Sequence, residues 1–357
     1  MTRIACYTSF NYGYLSRARI LAKTLKRLHP DWDLWAMIVD RTPADLPADA
    51  LTGFDHILDA HELGVPNFPG WMFKHDVVEA CTAVKGHMMV HLLTPPDGSP
   101  GYDKVVYLDP DIGVFNPLDG IIKRLDHGSI VLTPHQTEPN TTELAIGDNE
   151  MTSLQYGIFN LGFVAVRNDR NGHGFAEWWA GMLYRACYDE VERGIFTDQK
   201  YCDLVPALFD RVEVERDPGY NVASWNLSRR KLRFGPDGML WSSGSPLKFY
   251  HFTKIGRVGD FMTQRYALDN VEVYELVNWY KRELVLQTVP EADQHRWVYG
   301  YFSDGTPIPK PARVLYRRRA DLVRAFPNPF DASQGGYLAW LRAETDIMGS
   351  PAEAHAA

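Results

Sequence analysis

The stretch that most constrains the fold is the first forty residues, which read as strand, turn, helix and strand. Ile4 to Thr8 is an apolar run, Ser9 to Gly13 a polar turn, Leu15 to about Leu28 a helix, and Leu34 to Val39 a second apolar run that ends at Asp40. Two strands joined through a helix lie parallel in one sheet, because the crossover returns the chain to the same end before the second strand begins. Further on, Ser129 to Leu132, Tyr156 to Val166 and Lys248 to Phe252 repeat the buried-strand pattern, and helices are expected over about Phe73 to Leu93, Gly174 to Arg193 and Val271 to Leu286. The chain is therefore expected to be α/β, with a mixed, mainly parallel sheet flanked by helices. Its 357 residues accommodate one large α/β body and an appendage. The body is assigned to residues 1–286. Residues 287–357, rich in Pro, Arg and aromatics, are read as a C-terminal extension packed on that body, with the final Ala/Glu/His residues disordered.

Composition excludes several partners. A formal charge of -8 does not make the basic stripe that a nucleic acid needs. No window approaches the roughly 18 consecutive apolar residues of a spanning helix, and the first residues run straight into a strand without a signal-peptide core. A cytoplasmic protein is expected. Cys6, Cys81, Cys187 and Cys202 are scattered among mostly apolar neighbours, with no metal spacing, and are read as reduced core residues. The run Arg317-Arg318-Arg319, with Arg313 and Arg324, is read as an exposed helix face, with peripheral contact to anionic lipid as the functional alternative.

The chemistry centres on Val105-Val106-Tyr107-Leu108-Asp109-Pro110-Asp111, an apolar run that ends in two carboxylates one residue apart. In an extended backbone residues i and i+2 share a side, so Asp109 and Asp111 can converge on one cation. Pro110 fixes its own φ and biases Asp109 toward the extended region. Carboxylates at the carboxyl end of a strand stand where α/β folds bind ligands. His251, alone among apolar neighbours, is the candidate third ligand, and two carboxylates with an imidazole suit Mn²⁺ better than Mg²⁺. The remaining coordination would go to diphosphate oxygens.

Other residues are singled out by their setting. Asn160 puts an amide on an apolar strand, where its hydrogen bonds must be met by a ligand such as a sugar hydroxyl or by a neighbouring loop. Gly162 would let a ligand or another backbone approach closely. Asp198 and Gln199 open an expected helix, Asp198 to Leu204, either as N-terminal capping groups or as groups at a reacting sugar. Lys85, on a helix, could reach phosphates. The polar segment Pro134 to Gly157 is read as a loop or lid.

In order along the chain, Asn11-Tyr12 after the first strand, the Lys-bearing helix, Tyr107-Leu108-Asp109-Pro110-Asp111, Phe159-Asn160-Leu161-Gly162, Asp198-Gln199 and the late His251 resemble the landmarks of GT-A glycosyltransferases, in particular bacterial enzymes of the retaining family 8 type. The resemblance covers about residues 1 to 260. It implies a GT-A, Rossmann-like nucleotide-diphospho-sugar transferase fold, with Thr8, Asn11 and Tyr12 near the nucleoside. It further implies that Asp109, Asp111 and His251 hold Mn²⁺ or Mg²⁺, and that Asn160, Asp198 and Gln199 surround the donor sugar. Two features differ from the family pattern: Ser9-Phe10 stands where acidic residues often follow the first strand, and His251-Phe252-Thr253-Lys254-Ile255-Gly256 replaces a longer His-to-Lys spacing. The implied activity is transfer of a sugar from a nucleotide diphosphate to a glycan or lipid-linked hydroxyl acceptor, in synthesis of cell-surface polysaccharide. Retention of configuration needs no strong side-chain base; inversion would require one from Asp148, Glu150 or Asp198. An aspartate-dependent phosphatase and an inactive glycan- or nucleotide-binding protein are the competing readings.

Overall fold

The computed structural model describes residues 2–256 and 258–348. Its centre is a seven-stranded sheet. In chain order the strands are β1 (Ile4–Phe10), β2 (Asp33–Ile38), β3 (His56–Asp59), β4 (Lys104–Leu108), β6 (Ile130–Pro134), β7 (Phe159–Arg167) and β8 (Val212–Val214). They lie in the spatial order β8, β6, β7, β4, β1, β2, β3. Only β7 runs antiparallel to its neighbours in this sheet. The mainly parallel sheet of the sequence reading is thus present, and its opening βαβ unit is β1, helix α1 (Leu15–Leu28) and β2.

Alternate residues of the central strands feed two cores. Ala5, Tyr7, Val105, Tyr107, Val164 and Val166 face one layer, which contains helices α2 (Val77–Ala83), α3 (Lys85–Leu93) and α4 (Arg170–Ala186). Cys6, Val106, Leu108, Phe163 and Ala165 face the other, against Leu21 and Leu25 of α1. Burial on both faces is why these strands read as continuous apolar runs without alternation. The four cysteines are free, and three of them are buried.

The chain changes sheets at the paired acids. After β4 it turns through Asp109-Pro110-Asp111 into β5 (Ile112–Val114), which pairs with β10 (Phe249–His251) of a second, three-stranded sheet that also contains β9 (Val222–Ala223). Ile112 N–H donates to Asp109 O at 3.1 Å, so Asp109 to Ile112 form a turn with Pro110 at its second position, where a fixed φ is favoured. The extended stretch expected across Asp109 and Asp111 is corrected accordingly.

Other expectations need adjustment. The helix expected over Phe73 to Leu93 is three pieces, Phe68–Phe73, α2 and α3, because Asp76 caps α2 with its side chain and forms a capping box with Glu79. The helix expected over Gly174 to Arg193 is α4, Arg170–Ala186, capped by Asp169. The segment Pro134 to Gly157 is largely helical from Glu143 to Tyr156, with a π-helical stretch at Ile146–Met151. No helix begins at Asp198; a 3₁₀ turn runs Lys200–Leu204. Helix α5, Val271–Leu286, has the expected bounds.

Beyond α5, the helices Pro290–Gln294, Lys310–Arg318, Ala320–Ala325 and Tyr337–Glu344 follow. Phe302, Ala312, Tyr316, Leu322, Tyr337 and Leu341 form a satellite core that takes in Phe73 of the main body. The expectation of an exposed arginine face is corrected here. The Arg313 guanidinium is buried and donates to the carbonyls of Phe73, His75 and Tyr299. The Arg317 side chain is also buried, ion-paired with Glu79 and Glu190 and stacked over Tyr188. Two of the charges assigned to a lipid surface are therefore internal. No described helix is long and apolar enough to cross a membrane. The terminal residues read as disordered lie outside the described residues from 349 on.

Candidate metal and donor site

Asp109, Asp111 and His251 come together at the carboxyl end of β4. Each offers a ligand atom within 4.8 Å of the others. His251 Nε2 lies 3.0 Å from Asp111 and 3.7 Å from Asp109. The local fold explains the meeting: the Pro110 turn brings the two acids round, and antiparallel pairing sets His251 opposite Ile112, the residue after Asp111. Phe252 N–H donating to Asp111 O closes that junction. The Asp109 side chain is 24% exposed against 12% for Asp111 and 4% for His251, so the cluster opens on the Asp109 side. Two carboxylates and one imidazole, open to solvent on one side, make a donor set that could hold a divalent cation.

Burial opposes ionisation of both Asp111 and His251, yet each stabilises the other's charge. The Asp111 carboxyl is held below its ordinary value and the His251 imidazolium above its own. Tyr107 donates its hydroxyl to Asp109 Oδ1 at 2.5 Å, fixing the more exposed carboxylate.

Lys85 joins this cluster to Asp198. Its ammonium lies 3.0 Å from Asp109, 2.8 Å from Asp198 and 3.0 Å from Leu161 O, and it sits over the Tyr107 ring. The side chain is 2% exposed, and its three donors already face three acceptors. Lys85 thus ties two carboxylates together and is not a free phosphate contact. Burial alone would lower its pKa; Asp109 and Asp198 overcome this and raise it. Burial pushes the Asp198 carboxyl up, with Lys85 working against that shift. Asp198 follows Thr197, a β-branched residue at φ 43°. Such a backbone costs about 1–3 kcal/mol and persists where surroundings over-determine it. Here Tyr188 O accepts from Thr197 N–H, and Trp179 Nε1–H donates to Asp198 O.

Gln199 and Asn160 stand beside Asp198. Gln199 Nε2 donates to Tyr156 O, and its Oε1 accepts from Leu161 N–H and from Asn160 Nδ2. Asn160 Oδ1 faces His251 Nδ1 at 3.1 Å. At Gly162, a Cβ would lie 2.5 Å from His251 Cε1 and 2.8 Å from Asn160 Oδ1, so the close approach read from this glycine is that of the imidazole. The three residues assigned to a nucleoside lie at the end of β1. Thr8 is fully buried with an unpartnered hydroxyl, Asn11 is half-buried, and Tyr12 is buried with its hydroxyl on Thr42 and its ring against His295.

The candidate bases for an inverting reaction are all engaged. Asp148 accepts from Tyr266 and pairs with Arg265, Glu150 accepts from Asn140 N–H, and Asp198 is held by Lys85. Two residues not singled out from the sequence belong to the site. His135, just past β6, contacts Asn160 at 3.3 Å, and Trp225 packs edge-on against both His135 and His251. The position of His135 at the carboxyl end of a strand, on the edge that carries Asp109, was the signal available for it.

No family model matches this chain. A curated relative, the uncharacterised protein YfnF of Bacillus subtilis, is 26% identical over 185 residues, covering 50% of this chain. The match spans 57% of that relative's length. Among solved structures, the galactosyltransferase LgtC in complex with donor and acceptor sugar analogs resembles 81% of this chain and 98% of its own at 13% identity, with a TM-score of 0.45. Mouse xyloside xylosyltransferase 1 does so over 71% of this chain and 98% of its own, at 14% identity and a TM-score of 0.43. A glycosyltransferase involved in glycosylation of the major capsid of PBCV-1 covers 74% of this chain and all of its own, at 10% identity and a TM-score of 0.39.

Proposed function

We propose that this protein is a metal-dependent glycosyltransferase of GT-A type that moves a sugar from a nucleotide diphosphate to a hydroxyl acceptor with retention of configuration. The observation that carries the reading is the Asp109, Asp111 and His251 cluster, tied through Lys85 to Asp198 at the carboxyl edge of the sheet. A divalent cation held by those three side chains supplies charge neutralisation for a departing nucleoside diphosphate.

Lys85, 2.8 Å from Asp198, favours its carboxylate form against the effect of burial, and that carboxylate is assigned to the reacting sugar, where it would stabilise an oxocarbenium-like centre. Gln199 keeps one N–H beyond its bond to Tyr156 O and offers it to a sugar oxygen. Thr8, Asn11 and Tyr12 are assigned to the nucleoside side of the donor. Retention is favoured because Asp148, Glu150 and Asp198 are each committed to a partner, leaving none free as a general base. The acceptor is assigned to the glycan or lipid-linked class, in the building of cell-surface polysaccharide, and residues 1–286 are taken as the catalytic body with 287–357 as its extension.

The test is nucleotide release from UDP-, GDP-, dTDP- and CMP-sugars with Mn²⁺ or EDTA, for the wild type and Asp111→Ala. Release from one donor, dependent on metal and reduced at least a hundredfold by the substitution, is the expected result. Phosphate release from simple phosphomonoesters with every nucleotide sugar left intact would transfer the reading to a phosphatase.

A further inference from the structure

The hydrogen bonds behind His251 can be assigned from fixed backbone groups inward. Leu161 N–H is a donor and can only meet an acceptor, so the Gln199 atom 3.3 Å from it is Oε1, and Gln199 Nε2 then donates to Tyr156 O at 3.0 Å. With Gln199 Oε1 so fixed, the Asn160 atom 3.3 Å from it must be Nδ2. That places Asn160 Oδ1 toward His251 Nδ1, at 3.1 Å, and makes His251 the donor through Nδ1–H. The second Nδ2 hydrogen points to His135 Nε2 at 3.3 Å, which must accept, so His135 carries its proton on Nδ1 and donates to Ile158 O at 3.3 Å. Burial lowers the His135 pKa to about 4, consistent with the neutral ring this pattern requires.

We infer that Asn160, with His135 behind it, is a positioning residue that holds the His251 proton on Nδ1 and fixes the ring orientation, so that Nε2, which faces Asp111 at 3.0 Å, is the nitrogen turned to a metal. The inference rests on the metal-site reading above and goes beyond it. Asn160 therefore has little to give a sugar: both its Nδ2 hydrogens are used, and one lone pair of Oδ1 remains. Gly162 is a second, independent sign of the same arrangement. A Cβ there would lie 2.7 Å from His251 Nδ1 and 2.8 Å from Asn160 Oδ1, so the strand carries no side chain where this contact is made. Trp225 packs edge-on against both imidazoles, at 5.4 Å from His135 and 5.3 Å from His251, and closes the group from the side. Since the backbone anchors are Tyr156, Ile158 and Leu161, the end of the helical segment Glu143–Tyr156 and the start of β7 together set the orientation of His251. Groups that orient a ligating histidine in this way typically change metal affinity by about 10–100-fold when removed.

The test is Mn²⁺ binding to the full chain, read by electron paramagnetic resonance of the free ion, with the His251 tautomer read by ¹⁵N NMR. Asn160→Leu is expected to weaken Mn²⁺ by about 10–100-fold and to leave His251 as a mixture of tautomers. Asn160→Asp, which keeps an acceptor on Nδ1–H, is expected to recover most of the affinity. His135→Leu is expected to weaken binding less, by up to about tenfold, and serves as the reading if Asn160→Leu does not fold. Wild-type affinity and an unchanged His251 tautomer in Asn160→Leu, or in His135→Leu where that is the variant read, would overturn the inference. Asp111→Asn separates the two levels: if it too binds Mn²⁺ like the wild type, the metal reading itself falls; if it loses Mn²⁺ while Asn160→Leu keeps it, only the positioning role falls.

Discussion

Lys85 shows what one side chain can contribute when every donor on it has a partner. Its ammonium is the only positive charge directly between Asp109 and Asp198 among the ion pairs of the described residues, and it has almost no contact with water. Removing one member of a buried charge group costs about 3–5 kcal/mol, because the charges left behind are unpaired. Lys85→Met is therefore expected to lower stability by about that amount at neutral pH, measured by urea unfolding. Lys85→Met combined with Asp198→Asn is expected to recover part of the loss, since it removes one stranded carboxylate. Both variants are expected to lose nucleotide-sugar turnover. A single variant as stable as the wild type would mean that the ammonium is not holding these carboxylates. The sequence marked Lys85 as a residue of interest but not its task, since nothing local distinguishes a lysine that meets residues 109 and 198 from one facing solvent. Asp109 and Asp111 were legible because their signal is local; His251 became legible only in combination with them.

At the scale of the element, the helical segment Glu143–Tyr156 is held at several points. Asn149 Nδ2 donates to Ser228 Oγ, Ser228 donates to Asn140 Oδ1, and Asp148 binds both Tyr266 and Arg265. Leu144, Met151 and Leu154 remain exposed along it. Losing the charge-assisted bond from Tyr266 to Asp148 costs on the order of 1 kcal/mol at a partly exposed position. Tyr266→Phe is thus expected to raise local opening about fivefold, seen as faster amide hydrogen exchange across residues 143–151 with exchange in the central strands unchanged. Uniform exchange across the whole chain would show that this segment opens only with the fold. Its helicity was hidden in the sequence because its apolar residues face outward, and its π-helical stretch does not keep the 3.6-residue period. Helix α5 was readable for the opposite reason: Val273, Leu276, Val277 and Tyr280 recur at helical spacing and are buried. The turn at Pro110 was misread as extended because the apolar runs on either side of it conceal a change of sheet.

Across the whole molecule, the C-terminal segment is bound to the body by contacts that span more than two hundred residues. Arg313 and Arg317 come within reach of His75 and Glu79, and no pattern near residue 313 or 317 announces those partners. The same junction makes stability depend on pH. His75 is fully buried, and burial lowers its pKa to about 3; the Trp71 backbone works against that shift, and the neighbouring arginines add to it. A histidine with an ordinary value near 6.5 binds a proton in the unfolded chain before it does in the folded one. Between pH 6.5 and about 3 the unfolded state thus holds more protons, and folding stability falls as the pH falls. Each pH unit in that window is worth about 1.4 kcal/mol for one such group, so acidification from pH 7 to 5 should cost about 2 kcal/mol through His75 alone. Glu190 adds loss of the same sign at lower pH: burial works to raise its pKa, but Arg317 and Arg193 hold it below the usual value, so its stabilisation is present above that value and disappears as the carboxylate is protonated. His75→Phe keeps an aromatic ring against Trp71 and Tyr188 while removing the titration. Unfolding by urea at pH 7 and at pH 5 is expected to show a difference between the two pH values smaller by about 2 kcal/mol in this variant than in the wild type. An equal difference in both proteins would mean that His75 takes up its proton as readily in the folded state as in the unfolded chain, and that the acid loss comes from other groups.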